Sequence, residues 1–164
     1  SCRWKSPSGF PAVQNYTKWN KTKVRIYLYD REAKINKRSQ VTVKGPEPTT
    51  TDSRKAKSSI AANWIHSCDA AHMVNTILLS YEHGLRDFMV IHDSFATTAC
   101  NTIDLFQIVR ETFVNQYTGE CPLESFLEGV RQQLNDPTDA RLLEVPQKGD
   151  LDIYEVLESD YCFS

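Results

Sequence analysis

Nowhere in the chain do about 18 apolar residues follow one another, so no segment reads as a membrane-spanning helix and no membrane partner is expected. No apolar stretch follows the first residues, so no secretory signal is expected. Glycine and proline are sparse, 6 and 7 in 164 residues, which excludes collagen-like and low-complexity chains. The five cysteines, Cys2, Cys68, Cys100, Cys121 and Cys162, include no CxxC pair. That odd, unpaired set argues against a disulfide framework or a zinc ribbon and points to a reducing compartment. Carboxylates are nearly missing from the first sixty residues, where 14 Lys and Arg face 4 Asp and Glu. The remaining residues hold 5 basic and 17 acidic side chains, so the net charge of −2 hides a steep split. Such asymmetry suggests a basic arm that meets an anionic partner. The chain opens on Ser1 without a clear starting element, and a processed subunit or a piece of something longer is expected.

What is present suits one ordinary domain. Hydrophobic residues make up 40% and charged ones 24%, enough to build a core and too apolar for a disordered chain. In residues 4–11, WKSPSGFP, the prolines and glycine mark turns rather than a helix or a central strand. Residues 24–29, VRIYLY, alternate strictly, which predicts a half-buried strand. Val24, Ile26 and Leu28 share its apolar face, and Lys23, Arg25, Tyr27 and Tyr29 its polar face. Residues 38–44 predict a weaker second strand, with Arg38, Gln40, Thr42 and Lys44 on the polar side. Together they read as a long β-hairpin with a basic tip.

Residues 45–57 read as a linker by composition. A helix follows, capped by Ser58 or Ser59 and stopped at Gly84. Its apolar positions are Ile60, Trp64, Cys68, Ala71, Ile77, Leu78 and Tyr81. Residues 87–91, DFMVI, read as a buried strand, and residues 96–98 as a short return strand. A second helix, capped by Asn101 or Thr102, runs to Tyr117 with Ile103, Phe106, Ile108, Val109 and Phe113 on or near its inner face. A third starts at Pro122, where proline fits the first turn, and runs to about Leu134. A short helix is expected near residues 152–158.

Few residues carry chemistry by pattern alone. Asp93 directly follows an apolar strand in a tight turn. That placement suits a Mg²⁺ ligand, because the hard cation prefers carboxylate oxygen, but local pattern alone favours an ordinary turn aspartate, a common turn residue. His66, Cys68 and His72 are poorly spaced for zinc. Sequential His92 and Ser94 diverge, and no GxSxG elbow exists, so a serine hydrolase is not supported. His83 reads as a C-terminal helix residue favoured by the dipole. The hairpin's polar face offers cations, amides and rings. A two-stranded ribbon fits a DNA major groove, and the same face also reads as a solvated edge that lysines keep from aggregating.

Four segments occur together in one family. WKSPSGFPAVQNY (residues 4–16), SSIAANWIHSCDAAHM (58–73), VIHDSFAT (90–97) and GDLDIYEVLESDYCFS (149–164) resemble, in order, motifs of the C-terminal part of single-subunit, T7-like DNA-directed RNA polymerases. An extra Ala12 before Val13 departs from the first motif. The resemblance implies an α+β fold: the C-terminal half of a polymerase palm, its motif C β-hairpin flanked by helices, preceded by a fingers-derived β-hairpin. Residues 1–57 would be the end of the fingers with the basic specificity hairpin and linker. Residues 58–164 would be the C-terminal palm segment with motif C and the C-terminal foot.

The resemblance also assigns roles. Asp93 matches the motif C aspartate that binds catalytic Mg²⁺, and His92 beside it shapes the turn near the primer end. His66 matches a histidine at the nascent base pair or product minor groove. Asp69 and His72 match positions of mainly structural role. Lys23, Arg25, Arg38 and Gln40 fall in the promoter-reading hairpin. Phe163 and Ser164 match the terminal foot. The implied cofactor is a pair of Mg²⁺ ions shared with a partner chain. The implied partners are another polymerase subunit or the remainder of the polymerase, template and promoter DNA, nascent RNA and NTPs. The implied place is the host cytoplasm of a phage, or alternatively a mitochondrion. The motif A carboxylate and the fingers helix do not occur in this sequence. A split subunit or fragment, inactive alone, is therefore expected, with a non-catalytic nucleic-acid-binding module as the alternative.

Overall fold

A computed structural model describes residues 1–32, 34–45, 48, 50–136 and 144–161. The elements run β1 (Cys2–Lys5), β2 (Pro11–Gln14), β3 (Lys21–Asp30), β4 (Ile35–Lys44), α1 (Ser53–Glu82), β5 (Phe88–Ile91), β6 (Ser94–Thr97), α2 (Thr102–Thr118), α3 (Pro122–Arg131) and α4 (Glu155–Glu158). Among the described residues the strands form three separate antiparallel hairpins, β1–β2, β3–β4 and β5–β6, beside the helices. This is the α+β pattern the sequence predicts. Two compact units result. One holds Ser1 and Asn15–Ser58, and the other holds Cys2–Gln14 and Ser59–Ser164.

In the first unit the alternating segment forms the expected ribbon, longer than its sequence signal. Its register pairs Lys23 with Thr42, Arg25 with Gln40 and Tyr27 with Arg38. Directly opposed residues share a face, so the polar set does gather on one side. The strands run to Asp30 and from Ile35, so the tip is shorter than the gap 30–37 left between the two expected strands, and Lys34 there has φ 50°. Lys37 Nζ meets Asp30 Oδ2 at 2.6 Å beside it. The ribbon is not half-buried, contrary to the alternation: Val24, Leu28, Val41 and Val43 are all exposed. A lone two-stranded sheet has no layer to cover its apolar face.

The helix α1 starts at Ser53, so the linker expected over residues 45–57 ends early. Asp52 is the reason. Its Oδ1 accepts the Lys55 N–H at 3.0 Å and its carbonyl accepts that of Ala56 at 2.9 Å, the bonds of an N-cap. The far end stops where expected. Gly84 has φ +90°, its N–H reaches the Tyr81 carbonyl, and the Leu85 N–H reaches that of Ser80. That is a Schellman closure, and it drives Leu85 into the core.

The second unit centres on Leu85, Leu105, Ile108 and Val109, with Leu79, Phe88 and Phe95 against them. Polar pairs complete the seam between α1 and α2. His72 Nε2 donates to the Val109 carbonyl at 2.9 Å, Thr76 and Thr112 hydroxyls meet at 2.9 Å, and Gln116 Nε2 donates to the Cys68 carbonyl at 3.0 Å. Leu78, Tyr81, Ile103 and Phe106 lie exposed instead of inward. Arg110 is buried in their place on α2. It holds the Ser159 carbonyl through Nε and Nη2 and stacks on the Phe106 ring.

The opening residues form strands rather than turns alone. Between β1 and β2 the turn closes through Ser6 N–H to the Phe10 carbonyl, and Gly9 adopts φ +83°. The Gln133 side chain brackets the Arg3 backbone, accepting from its N–H at 2.8 Å and donating to its carbonyl at 2.6 Å. Trp4 is buried against Phe126 and donates its indole N–H to Ser67 Oγ at 2.9 Å.

Candidate functional site

The pairing of Ile91 with Ser94 leaves a loop of two residues, His92 and Asp93. His92 has φ 56°, and Asp93 is not among the positive-φ residues. Positive φ at the first loop position alone is the sign pattern of a type II′ turn, where glycine is the usual occupant. A bulky histidine there is strained, and such strain persists only where surrounding structure imposes it. The surroundings do so. Phe88, Val90 and Phe95 point to the core side, while Thr97 Oγ1 clips the Asp87 carbonyl at 2.7 Å at the open end. Both loop side chains project into solvent.

The strand before the loop is not buried throughout, as residues 87–91 had suggested. Met89 and Ile91 are 61% and 58% exposed, because Phe88 and Val90 alone face the core. The exposed face of the hairpin thus carries Met89, Ile91, Ser94 and Ala96.

Asp93 has the oxygen chemistry that Mg²⁺ takes. Among the described residues, however, no three His, Cys, Asp or Glu side chains gather around one point. Asp93 does not make a metal site by itself among the described residues.

His66 stands exposed on α1, one wall of a groove of about 750 Å³ between that helix and the β1–β2 hairpin. Phe10, Val13, Asn63 and Val74 line the same groove, and Asp93 does not. Asp69 is exposed one turn further on. His72 is fully internal, edge-on to the rings of Phe95 and Phe113 at 5.9 and 5.6 Å. Burial holds its pKa below the ordinary value, with the Val109 carbonyl and the Asp69 charge pulling weakly the other way. Burial likewise raises the Cys68 thiol and the Tyr117 phenol.

Lys23, Arg25, Arg38 and Gln40 belong to the first unit and lie side by side on the ribbon's polar face. His66, His92 and Asp93 belong to the second unit. Phe163 and Ser164 lie outside the described residues. Sequence reasoning did not include Lys21 in the ribbon. Extending the alternation back by two residues finds it, opposite Lys44 on the same face.

The comparisons with known proteins bear on the whole chain. The family model for DNA-dependent RNA polymerase matches residues 1–141. T7 RNA polymerase of Escherichia phage T7 is 33% identical over 162 residues, covering 98% of this chain and 18% of that protein. DNA-directed RNA polymerase 3, chloroplastic, of Nicotiana sylvestris is 35% identical over 162 residues, with 99% of this chain and 15% of that protein covered. DNA-directed RNA polymerase 1A of Nicotiana tabacum is 34% identical over 166 residues, with 99% of this chain and 94% of that protein covered. Against T7 RNA polymerase and the other phage relatives the chain thus spans less than a fifth of their length. With a family match over most of its residues, the chain belongs to the T7-like, single-subunit DNA-dependent RNA polymerases.

Proposed function

We propose that the chain is the C-terminal palm segment of such a polymerase and supplies one metal-binding carboxylate, Asp93, for nucleotide addition. The observation that carries this is the loop itself. A two-residue turn with a strained His92 holds Asp93 clear of the protein, at the end of a hairpin whose other face is locked to the core. Strain at an exposed acidic turn serves no packing purpose, and it suits a group that must stand at a set position.

The roles divide as follows. Asp93 offers carboxylate oxygen to Mg²⁺ whose other ligands come from the rest of the polymerase. Held by Asp93 together with ligands from the rest of the polymerase, such an ion would supply Lewis-acid chemistry, acidifying the RNA 3′-hydroxyl and offsetting charge on the pyrophosphate. His92 fixes the turn beside the primer end. His66 contacts the product from its groove. Lys23, Arg25, Arg38 and Gln40 read promoter base edges from the ribbon. The chain alone is inert and gains activity with a partner that carries motif A and the fingers. The named relatives come from phages and plants. The place of action follows the genome transcribed: the host cytoplasm for a phage, the mitochondrion as the other reading.

The test is Asp93→Asn in the assembled polymerase. Nucleotide addition on a primed template is abolished while DNA binding persists. Normal elongation by that variant overturns the assignment, and RNA synthesis by the purified 164-residue chain alone overturns its need for a partner.

A further inference from the structure

Two places in the first unit break ordinary electrostatic rules, and both lie at the root of the β3–β4 ribbon. Lys21 and Lys44 sit directly opposite each other in the register, where like charges repel. The first two turns of α1 carry Arg54, Lys55 and Lys57 against the positive end of the helix dipole, with only the N-cap carboxylate of Asp52, already bonded to the Lys55 N–H, set against them. These five side chains are exposed. Among the described residues none has a carboxylate within ion-pair distance, since the ribbon's own ion pair, Lys37 with Asp30, is spent at the distant tip.

The two places are tied together. Lys18 N–H bonds the Thr50 carbonyl at 2.9 Å, Asp52 N–H bonds the Tyr16 carbonyl at 2.9 Å, and Thr17 bridges Thr51. Gly45 N–H closes the ribbon's root on the Asn20 carbonyl at 2.8 Å. Rings hold two of the cations in place without neutralising them: Lys44 over Trp19 at 5.5 Å and Lys55 over Tyr16 at 4.6 Å. A rigid frame that gathers five cations around one N-cap carboxylate costs stability, and local rules broken in this way are expected where a ligand offsets the cost.

We infer that this root is a platform for the phosphate backbone of duplex DNA, separate in task from the base-reading ribbon face. The inference rests on the proposed polymerase reading for its choice of DNA. Its own content is that Lys21, Lys44, Arg54 and Lys57 bind backbone without regard to sequence. Phosphate contacts position a protein on the duplex, whereas base edges specify it. The platform therefore sets affinity and salt dependence, and Arg25 and Gln40 set preference.

The experiment uses the assembled polymerase and two unrelated duplexes, with binding followed by fluorescence anisotropy across a sodium chloride series. The variant Lys21→Gln/Lys44→Gln/Arg54→Gln/Lys57→Gln changes only exposed side chains and leaves Lys55 on its ring. It weakens both duplexes equally, and the slope of log affinity against log salt becomes shallower by about 0.9 for each phosphate no longer neutralised. The ribbon variant Arg25→Gln/Gln40→Ala changes the ratio between the two duplexes instead. An unchanged slope in the fourfold variant overturns the platform, as does a weakening confined to one duplex. Binding of single-stranded RNA with no binding of either duplex overturns the choice of DNA. If the slope is unchanged while Asp93→Asn still abolishes nucleotide addition, the platform alone falls and the polymerase reading stands.

Discussion

The imidazole of His72 stands edge-on to Phe95, with ring centroids 5.9 Å apart. Through this contact the middle of α1 braces the strand that follows the His92–Asp93 loop. The ring is neutral in that role, since burial lowers its pKa and its Nε2–H is committed to the Val109 carbonyl.

A pH dependence follows from the sign of that shift. The unfolded chain binds a proton at His72 near the ordinary 6.5, while the folded chain resists it. The stabilisation is therefore complete above 6.5 and is lost as pH falls through the lower folded value. His72→Gln, which keeps a donor and does not titrate, flattens this acid limb. Urea midpoints between about pH 7 and 5 check it, and equal slopes for both proteins refute it.

Thr76 and Thr112 give an asymmetric pair. Thr112 Oγ1 donates to the Ile108 carbonyl at 2.9 Å, so the proton between the two hydroxyls belongs to Thr76. Thr112→Val strands that buried donor and costs about 1–3 kcal/mol. Thr76→Val leaves Thr112 still bonded and costs less. The double variant costs less than Thr112→Val alone, because no buried donor is then left stranded and neighbours in one network are not additive. A denaturation cycle that comes out additive contradicts the shared bond.

His92→Gly separates stability from activity. Relieving the left-handed strain returns about 1–2 kcal/mol, and the freer unfolded chain takes back about 0.4–1 kcal/mol. The net effect is a stability gain of up to about 1.6 kcal/mol by denaturation, while the assembled polymerase slows because the loop no longer holds Asp93 as firmly. His92→Ala keeps the strain and shows no such gain. A loss of stability in the glycine variant removes strain from the argument.

Much of the ribbon and the loop was legible because period-two alternation and adjacency are written along one dimension. Arg25 and Gln40 could be placed on one polar face from alternation, and His92 with Asp93 needed no pairing at all. The β1 and β2 strands were hidden by the Pro7 and Gly9 turn between them, which is read more easily than its arms. The start of α1 was missed because Asp52 sits in a tract of threonines and prolines that reads as linker. Burial on the helices was the least legible. Thr76, Thr112, Gln116 and Arg110 are inside because each finds a hydrogen-bond partner from another turn or element. Ile103 and Phe106 look internal by composition and lie exposed.

Among the described residues the three hairpins remain separate sheets of two strands each. Each of them therefore presents strand edges that no third strand covers. Beside Met89 and Ile91 such an edge borders an oily surface, the combination that templates strand addition between molecules. Purified alone and concentrated, this chain is a colloid at risk of sticking to itself, and co-expression with the rest of a polymerase is the practical way to keep it in solution.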